Sequence, residues 1–199
     1  MEVLENQVFT TIDPTTGKKI AEHPQMSDQE AEKAVQRCHE AFKEWKTRSF
    51  EERAKIIKSI GKGMQDNKKE LTHLMTQEMG KPISQSVAEI EKCAWVCEYY
   101  AKNAENQLQD EIIETDADES YVRYEPLGAV LAIMPWNYPF WQVFRFAAPA
   151  VMAGNVALLK HELPDLTVME IPGASHALPR SQHNAFNAAI IGFAQRVGG

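Results

Sequence analysis

Two uninterrupted apolar runs, Ala129-Val130-Leu131-Ala132-Ile133 and Val156-Ala157-Leu158-Leu159, constrain this chain more than any other feature. A strand with one wet face alternates apolar and polar side chains, whereas a strand without alternation is expected to be buried on both faces of a parallel sheet. Parallel neighbours need a crossover, and the mostly apolar stretch from Phe140 to Met152, stopped by Gly154, has the length for one helix. Strand, helix and strand then make a right-handed βαβ unit. The chain is therefore expected to be α/β with a helical prefix.

The prefix reads in local signals. Val8 to Ile12 is a short β-branched run that stops at the turn Asp13-Pro14-Thr15-Thr16-Gly17, and Lys18 to Ala21 is expected to return as the second strand of a hairpin. Ser27-Asp28-Gln29-Glu30 is a capping box, followed by Ala31, Ala34, Val35, Cys38, Ala41, Phe42 and Trp45 at helical spacing. Ser49 opens a second helix with Ala54, Ile57, Ile60, Met64, Leu71, Leu74 and Met75 inward, where Gly61 and Gly63 are expected to mark a bend. Gly80 and Pro82 end that segment, and Ser84 starts a third helix running to Tyr100. Tyr121 to Tyr124 alternates weakly, and Pro126-Leu127-Gly128 turns the chain into the first apolar run.

Charge and composition exclude several classes. A net charge of −7 argues against a nucleic-acid partner, which needs clustered Lys and Arg. The Phe140–Gly154 stretch is short and broken by Gln142 and Arg145, so no membrane span is expected. The N-terminus lacks the basic start and apolar core of a signal peptide. Three cysteines, Cys38, Cys93 and Cys97, imply no disulfide framework and fit a reducing cytoplasm. Cys93 and Cys97 share a helix face, but neither His nor a second Cys pair accompanies them, so packing and not a metal is the expectation.

The motif richest in chemistry is Met134-Pro135-Trp136-Asn137-Tyr138-Pro139-Phe140-Trp141, just past the first buried strand, where open α/β sheets bind ligands. A carboxamide at Asn137 serves either as a donor aimed at a developing oxyanion or as a partner for its own turn. Two prolines stiffen the loop in either case.

Pro135-Trp136-Asn137-Tyr138-Pro139, then Ala153-Gly154-Asn155 and Leu158-Leu159-Lys160, resemble the N-terminal signature of the NAD(P)-dependent aldehyde dehydrogenase superfamily. Asp13 to Gly17, Ala41-Phe42 with Trp45, Glu52-Arg53-Ala54, Glu78 to Pro82, Glu89-Ile90 and Tyr124 to Gly128 resemble further pieces in the same order. Phe140 to Arg145 and Leu159-Lys160-His161 look most like the succinate-semialdehyde dehydrogenase branch. The resemblance covers residues 1 to about 161. It implies an incomplete Rossmann-like NAD(P)-binding domain with an N-terminal helical segment. The expected divisions are 1–118 (hairpin and helices), 119–161 (strand arm and first βαβ unit) and 162–199. It implies that Asn137 donates to the thiohemiacetal oxyanion, a contribution of roughly 3 kcal/mol to the barrier. Ile133, Pro135, Trp136 and Asn137 would line the nicotinamide end of NAD or NADP. Lys160, in isolation an ordinary solvated Lys, would reach the adenosine ribose or its 2′-phosphate, with His161 beside it.

The reaction needs a thiolate, a carboxylate base and a hydride acceptor. No Cys follows Cys97, and Cys97 precedes Asn137. Residues 162–199 read as a different text. Leu166 to Ala177 resembles the last strand and catalytic-His loop of an α/β-hydrolase, with His176 as the base, and Gln182 to Arg196 resembles that fold's last helix. A hydrolase reading of the whole chain fails, because Gly173-Ala174-Ser175-His176-Ala177 lacks the second glycine of a nucleophile elbow. Two gene fragments joined near 161–165 are the expectation. Three readings follow. One is an aldehyde dehydrogenase by descent that oxidises a small aldehyde but is inactive as this chain. Another is a non-catalytic nucleotide-binding module that forms a homo-oligomer or pairs with a full-length homologue through Tyr121–Tyr124. The third is a chimeric artefact.

Overall fold

The computed structural model describes residues 8–160 except 25 and 136. Within it the local signals of the first half become elements at the expected places. Strands β1 (Val8–Ile12) and β2 (Lys19–Pro24) pair antiparallel. The turn between them is closed by Asp13, whose Oδ1 accepts the Thr15 N–H at 2.7 Å, and by Gly17 at φ 68°.

Helix α1 (Asp28–Trp45) starts on the Ser27–Glu30 capping box, and α2 (Phe50–Asp66) on an equivalent Ser49–Glu52 box. The buried face of α1 is narrower than its sequence stripe, because Val35 and Ala41 face solvent. The apolar segment after Ser49 is two helices. It breaks at Asn67, which caps α2, donates its side-chain N–H to the Gly63 carbonyl, and opens α3 (Lys68–Met79).

Gly61 and Gly63 lie inside the continuous helix α2, and Gly61 has a packing role. A Cβ there would sit 3.0 Å from the Cys97 Cβ and 3.2 Å from the Ala94 carbonyl oxygen. The missing side chain lets α2 lie close against α4 (Ile83–Gln107). Gly80, at φ 68°, is the left-handed cap of α3. Helix α4 starts behind Pro82, one residue before the expected Ser84, with no side-chain cap.

Two short strands, β3 (Glu111–Ile112) and β4 (Tyr121–Val122), form an exposed antiparallel pair. Then β5 (Ala129–Ile133), α5 (Pro139–Met152) and β6 (Val156–Lys160) make the expected βαβ unit, its strands parallel and in register from Ala129↔Val156 to Ile133↔Lys160. Full burial of β5 does not hold among the described residues. Ala132 is buried, but Leu131 and Ile133 on the opposite face are 53% and 50% exposed. Helix α1 packs on β5 and β6 and α5 on β6, and among the described residues the Leu131 and Ile133 face of β5 stays open.

The core lies where α2, α3, α4 and α5 meet. It is built from Ile57, Met64, Met75, Ile90, Cys93, Cys97, Phe140, Phe144 and Met152. Burying each such side chain stabilises the fold by about 1.5–3 kcal/mol. No described helix is long and apolar enough to cross a membrane.

Candidate functional site

The loop 134–138 joins the C-terminal end of β5 to α5. Its anchorage begins at the far end of the crossover. Asn155 Oδ1 accepts the Gly128 N–H at 3.1 Å, and its Nδ2 donates to the Ala150 carbonyl at 3.2 Å. One carboxamide thus ties the entry of β5 to the exit of α5. Gly154, at φ 89°, lies where a Cβ would stand 2.7 Å from an Arg53 guanidinium nitrogen. The Trp45 indole N–H donates to the Val151 carbonyl at 3.0 Å and fixes α1 to the same turn. These contacts account for Ala153-Gly154-Asn155 as one structural unit.

At the other end, Asn137 is exposed beside Pro135 and Tyr138. Gln142 Nε2 donates to Asn137 Oδ1 at 3.4 Å, so the Asn137 amide nitrogen has no partner among the described residues. The β5–β6 register sets Ile133 directly opposite Lys160, 27 positions later, at the same sheet edge. Three of the sequence-derived site residues (Ile133, Pro135 and Asn137) therefore surround the mouth of the first βα turn, and the backbone of Lys160 joins them. Trp136, His161 and His176 lie outside the described residues, as does the tail 162–199. The strand ends thus present an open apolar and amide surface beside the Lys160 backbone, at the end of a parallel sheet where α/β folds commonly bind ligands.

A pair of charged residues missed as site residues lies beneath this loop. Glu89, on α4, is 3% exposed. Its Oε1 accepts the N–H groups of both Phe140 and Trp141 at 2.9 Å. Its Oε2 forms an ion pair with Lys81, itself 7% exposed. The Lys81 ammonium stands 3.8 Å from the centre of the Tyr138 ring, and Lys92 stands at the same distance from Trp141. The signal was present in the sequence: Ser86, Glu89, Ile90 and Cys93 share one helical face, so a carboxylate interrupts an otherwise buried stripe.

The cysteines of α4 face the core. Cys93 and Cys97 are fully buried, and burial raises both thiols, Cys97 to about 12. The charge of Glu89 raises Cys93 further. Neither can supply a thiolate near neutral pH. Glu78, on α3, is also enclosed; burial lifts its carboxyl to about 7, and neither oxygen has a hydrogen-bond partner among the described residues. Among the described residues no three His, Cys, Asp or Glu side chains gather as a metal site.

Comparison with known proteins places this geometry. The pattern of the Aldehyde dehydrogenase family matches residues 3–171. A probable succinate-semialdehyde dehydrogenase [NADP(+)] of Synechocystis is 46% identical over 153 residues, covering 77% of this chain and 34% of the relative. Succinate-semialdehyde dehydrogenase [NADP(+)] 1 of Mycobacterium tuberculosis is 43% identical over 156 residues, with the same coverage of each. The chain thus spans about a third of the length of these curated relatives. The succinic semialdehyde dehydrogenase of Streptococcus pyogenes, solved with NADP+, superposes with a TM-score of 0.82 at 26% identity, over 96% of this chain and 38% of that one.

Proposed function

The chain belongs to the aldehyde dehydrogenase family, and we propose that it carries the oxyanion donor and one side of the NADP+ site of an enzyme that oxidises a small semialdehyde of the succinate semialdehyde class. The observation that carries this reading is the exposed Asn137, whose oxygen is occupied by Gln142 and whose amide nitrogen has no partner among the described residues, at the C-terminal edge of the parallel strands. When a thiolate adds to an aldehyde, the carbonyl oxygen becomes an anion. A fixed N–H donor at that point stabilises the transition state more than the substrate. The prolines at 135 and 139 limit how far the loop must reorganise to present it.

Ile133 and Pro135 would support the nicotinamide end of NADP+, and Lys160 would meet the phosphorylated adenosine ribose. Bound there, NADP+ would supply the hydride acceptor. The named activities of the relatives favour NADP over NAD and a semialdehyde over other substrates.

Neither cysteine of α4 is placed to act as the nucleophile. Cys93 and Cys97 are sealed in the core on the opposite side of α4 from solvent, and no cysteine follows them in the sequence. The proposal for these 199 residues is therefore saturable NADP+ binding without turnover. The test uses the purified polypeptide. Tryptophan fluorescence is followed during an NADP+ titration, and NADPH formation is followed at its near-ultraviolet absorbance with succinate semialdehyde present. Quenching that saturates, with no rate above the protein-free blank, is expected. Sustained NADPH formation would overturn the inactivity, and an unsaturable titration would overturn the cofactor assignment.

A further inference from the structure

Helix α5 starts without a cap of its own. Its N-cap residue is Tyr138, which makes no side-chain cap bond, and its first helical residue is Pro139, which has no N–H. The next donors, Phe140 and Trp141, are the first-turn N–H groups that a helix cannot satisfy internally. Gln142 N–H already bonds back to the Tyr138 carbonyl at 2.8 Å. The two needy donors are the pair that Glu89 takes, from a position 51 residues upstream and on a different helix.

The arrangement does more than dock α5. Tyr138, Phe140 and Trp141 are the residues next to Asn137 on its C-terminal side apart from Pro139, and each is held by the Lys81–Glu89 pair, by a cation–π contact or by a hydrogen bond. Lys81 pairs with the second oxygen of the buried carboxylate, which leaves the first oxygen to accept both N–H groups. Occupying these N–H groups also withdraws the positive end of α5 from any anion nearby. A developing oxyanion at this edge then has the Asn137 amide as its donor instead of the helix terminus.

We propose that Glu89, held by Lys81, is a positioning residue that sets the direction of the Asn137 carboxamide. The inference rests on the reading of Asn137 as the oxyanion donor, but its test does not depend on turnover. A role in α4–α5 packing alone would leave Asn137 as it is. A positioning role links Asn137 to the charge of Glu89.

The experiment is 15N NMR on the whole 199-residue polypeptide and its Glu89→Gln and Glu89→Ala variants. Amide exchange is measured at Phe140 and Trp141, and order and chemical shift at the Asn137 backbone and side-chain NH2. The glutamine keeps an acceptor of the same shape and loses the charge and the ion pair. Exchange at both amides is expected to quicken by about tenfold in Glu89→Gln and by about 100-fold or more in Glu89→Ala, as charge-assisted bonds weaken and then vanish. The Asn137 NH2 should lose order in the same sequence. Asn137 signals identical to wild type in a folded Glu89→Gln protein would overturn the proposal, even if the melting temperature fell. If Glu89→Ala does not fold, the Glu89→Gln spectra alone decide between the two roles. The wild-type NADP+ titration separates the two readings: no binding defeats the cofactor site while the NMR result still decides whether Glu89 orients Asn137.

Discussion

Glu78 should make this fold less stable as the pH rises from about 4.5 to about 7, and replacing it with glutamine should remove that loss. The carboxyl is 2% exposed, and neither oxygen has a hydrogen-bond partner among the described residues. Burial raises it to about 7 from an ordinary value of 4.5. A carboxyl raised in the folded state binds its proton more tightly there than in the unfolded chain. Its contribution is therefore fully favourable below about pH 4.5 and is lost progressively between 4.5 and 7. Each tenfold gain in proton affinity corresponds to about 1.4 kcal/mol, so the whole rise corresponds to about 3 kcal/mol, trimmed to about 2 kcal/mol because the surroundings of a buried charge relax. Glu78→Gln imitates the protonated acid at every pH. Urea unfolding of both proteins should give stabilities within about 1 kcal/mol of each other at about pH 5, and a glutamine variant more stable by about 2 kcal/mol at about pH 8.5. Other carboxylates titrate equally in both proteins and cancel in the difference. A difference that does not change between the two pH values would refute the reasoning. So would a variant that is less stable on the alkaline side, because it would mean that the carboxylate has a compensating partner.

Three further outcomes are expected, two from the structure and one from the proposed cofactor site. Gly61→Leu should cost about 3 kcal/mol in urea unfolding, because even its Cβ would meet the Cys97 Cβ at 3.0 Å and the rigid Ala94 carbonyl; an unchanged midpoint would mean that α2 and α4 are not in contact there. Iodoacetamide under native conditions should label Cys38 first, since Cys93 and Cys97 are fully buried with raised thiols; equal labelling of all three by mass spectrometry would contradict the core packing. Lys160→Ala should weaken NADP+ binding by about tenfold while leaving NAD+ binding nearly unchanged, as expected for one lost charge-assisted phosphate contact; parallel loss of both would remove Lys160 from the 2′-phosphate.

Much of the fold around the candidate site was legible in the sequence, and the reason is distance along the chain. The Ser27–Glu30 and Ser49–Glu52 boxes, the Asp13–Gly17 turn and the Gly80 cap each close hydrogen bonds over a few residues, so their chemistry is written in neighbouring letters. The loop carrying Asn137 was equally visible, because two apolar runs and a crossover helix allow few other placements. The sequence by itself thus determined most of the elements, the βαβ order and the edge at which the candidate site lies.

Tertiary structure decided what those elements do to one another. The glycine at 61 reads as a bend and is a close approach, because its reason is Ala94 and Cys97 on another helix. Asn67 carries no clear sequence mark as the break between α2 and α3, because its two roles, as cap and as opener, overlap in one residue. Leu131 and Ile133 read as doubly buried, yet apolarity states what a face prefers and not which segment covers it. Glu89 is a lone carboxylate on an apolar stripe until the fold brings Lys81 and the first turn of α5 to it. Hydrogen bonds and burial between distant segments depend on where the whole chain goes, and no local pattern encodes the partner.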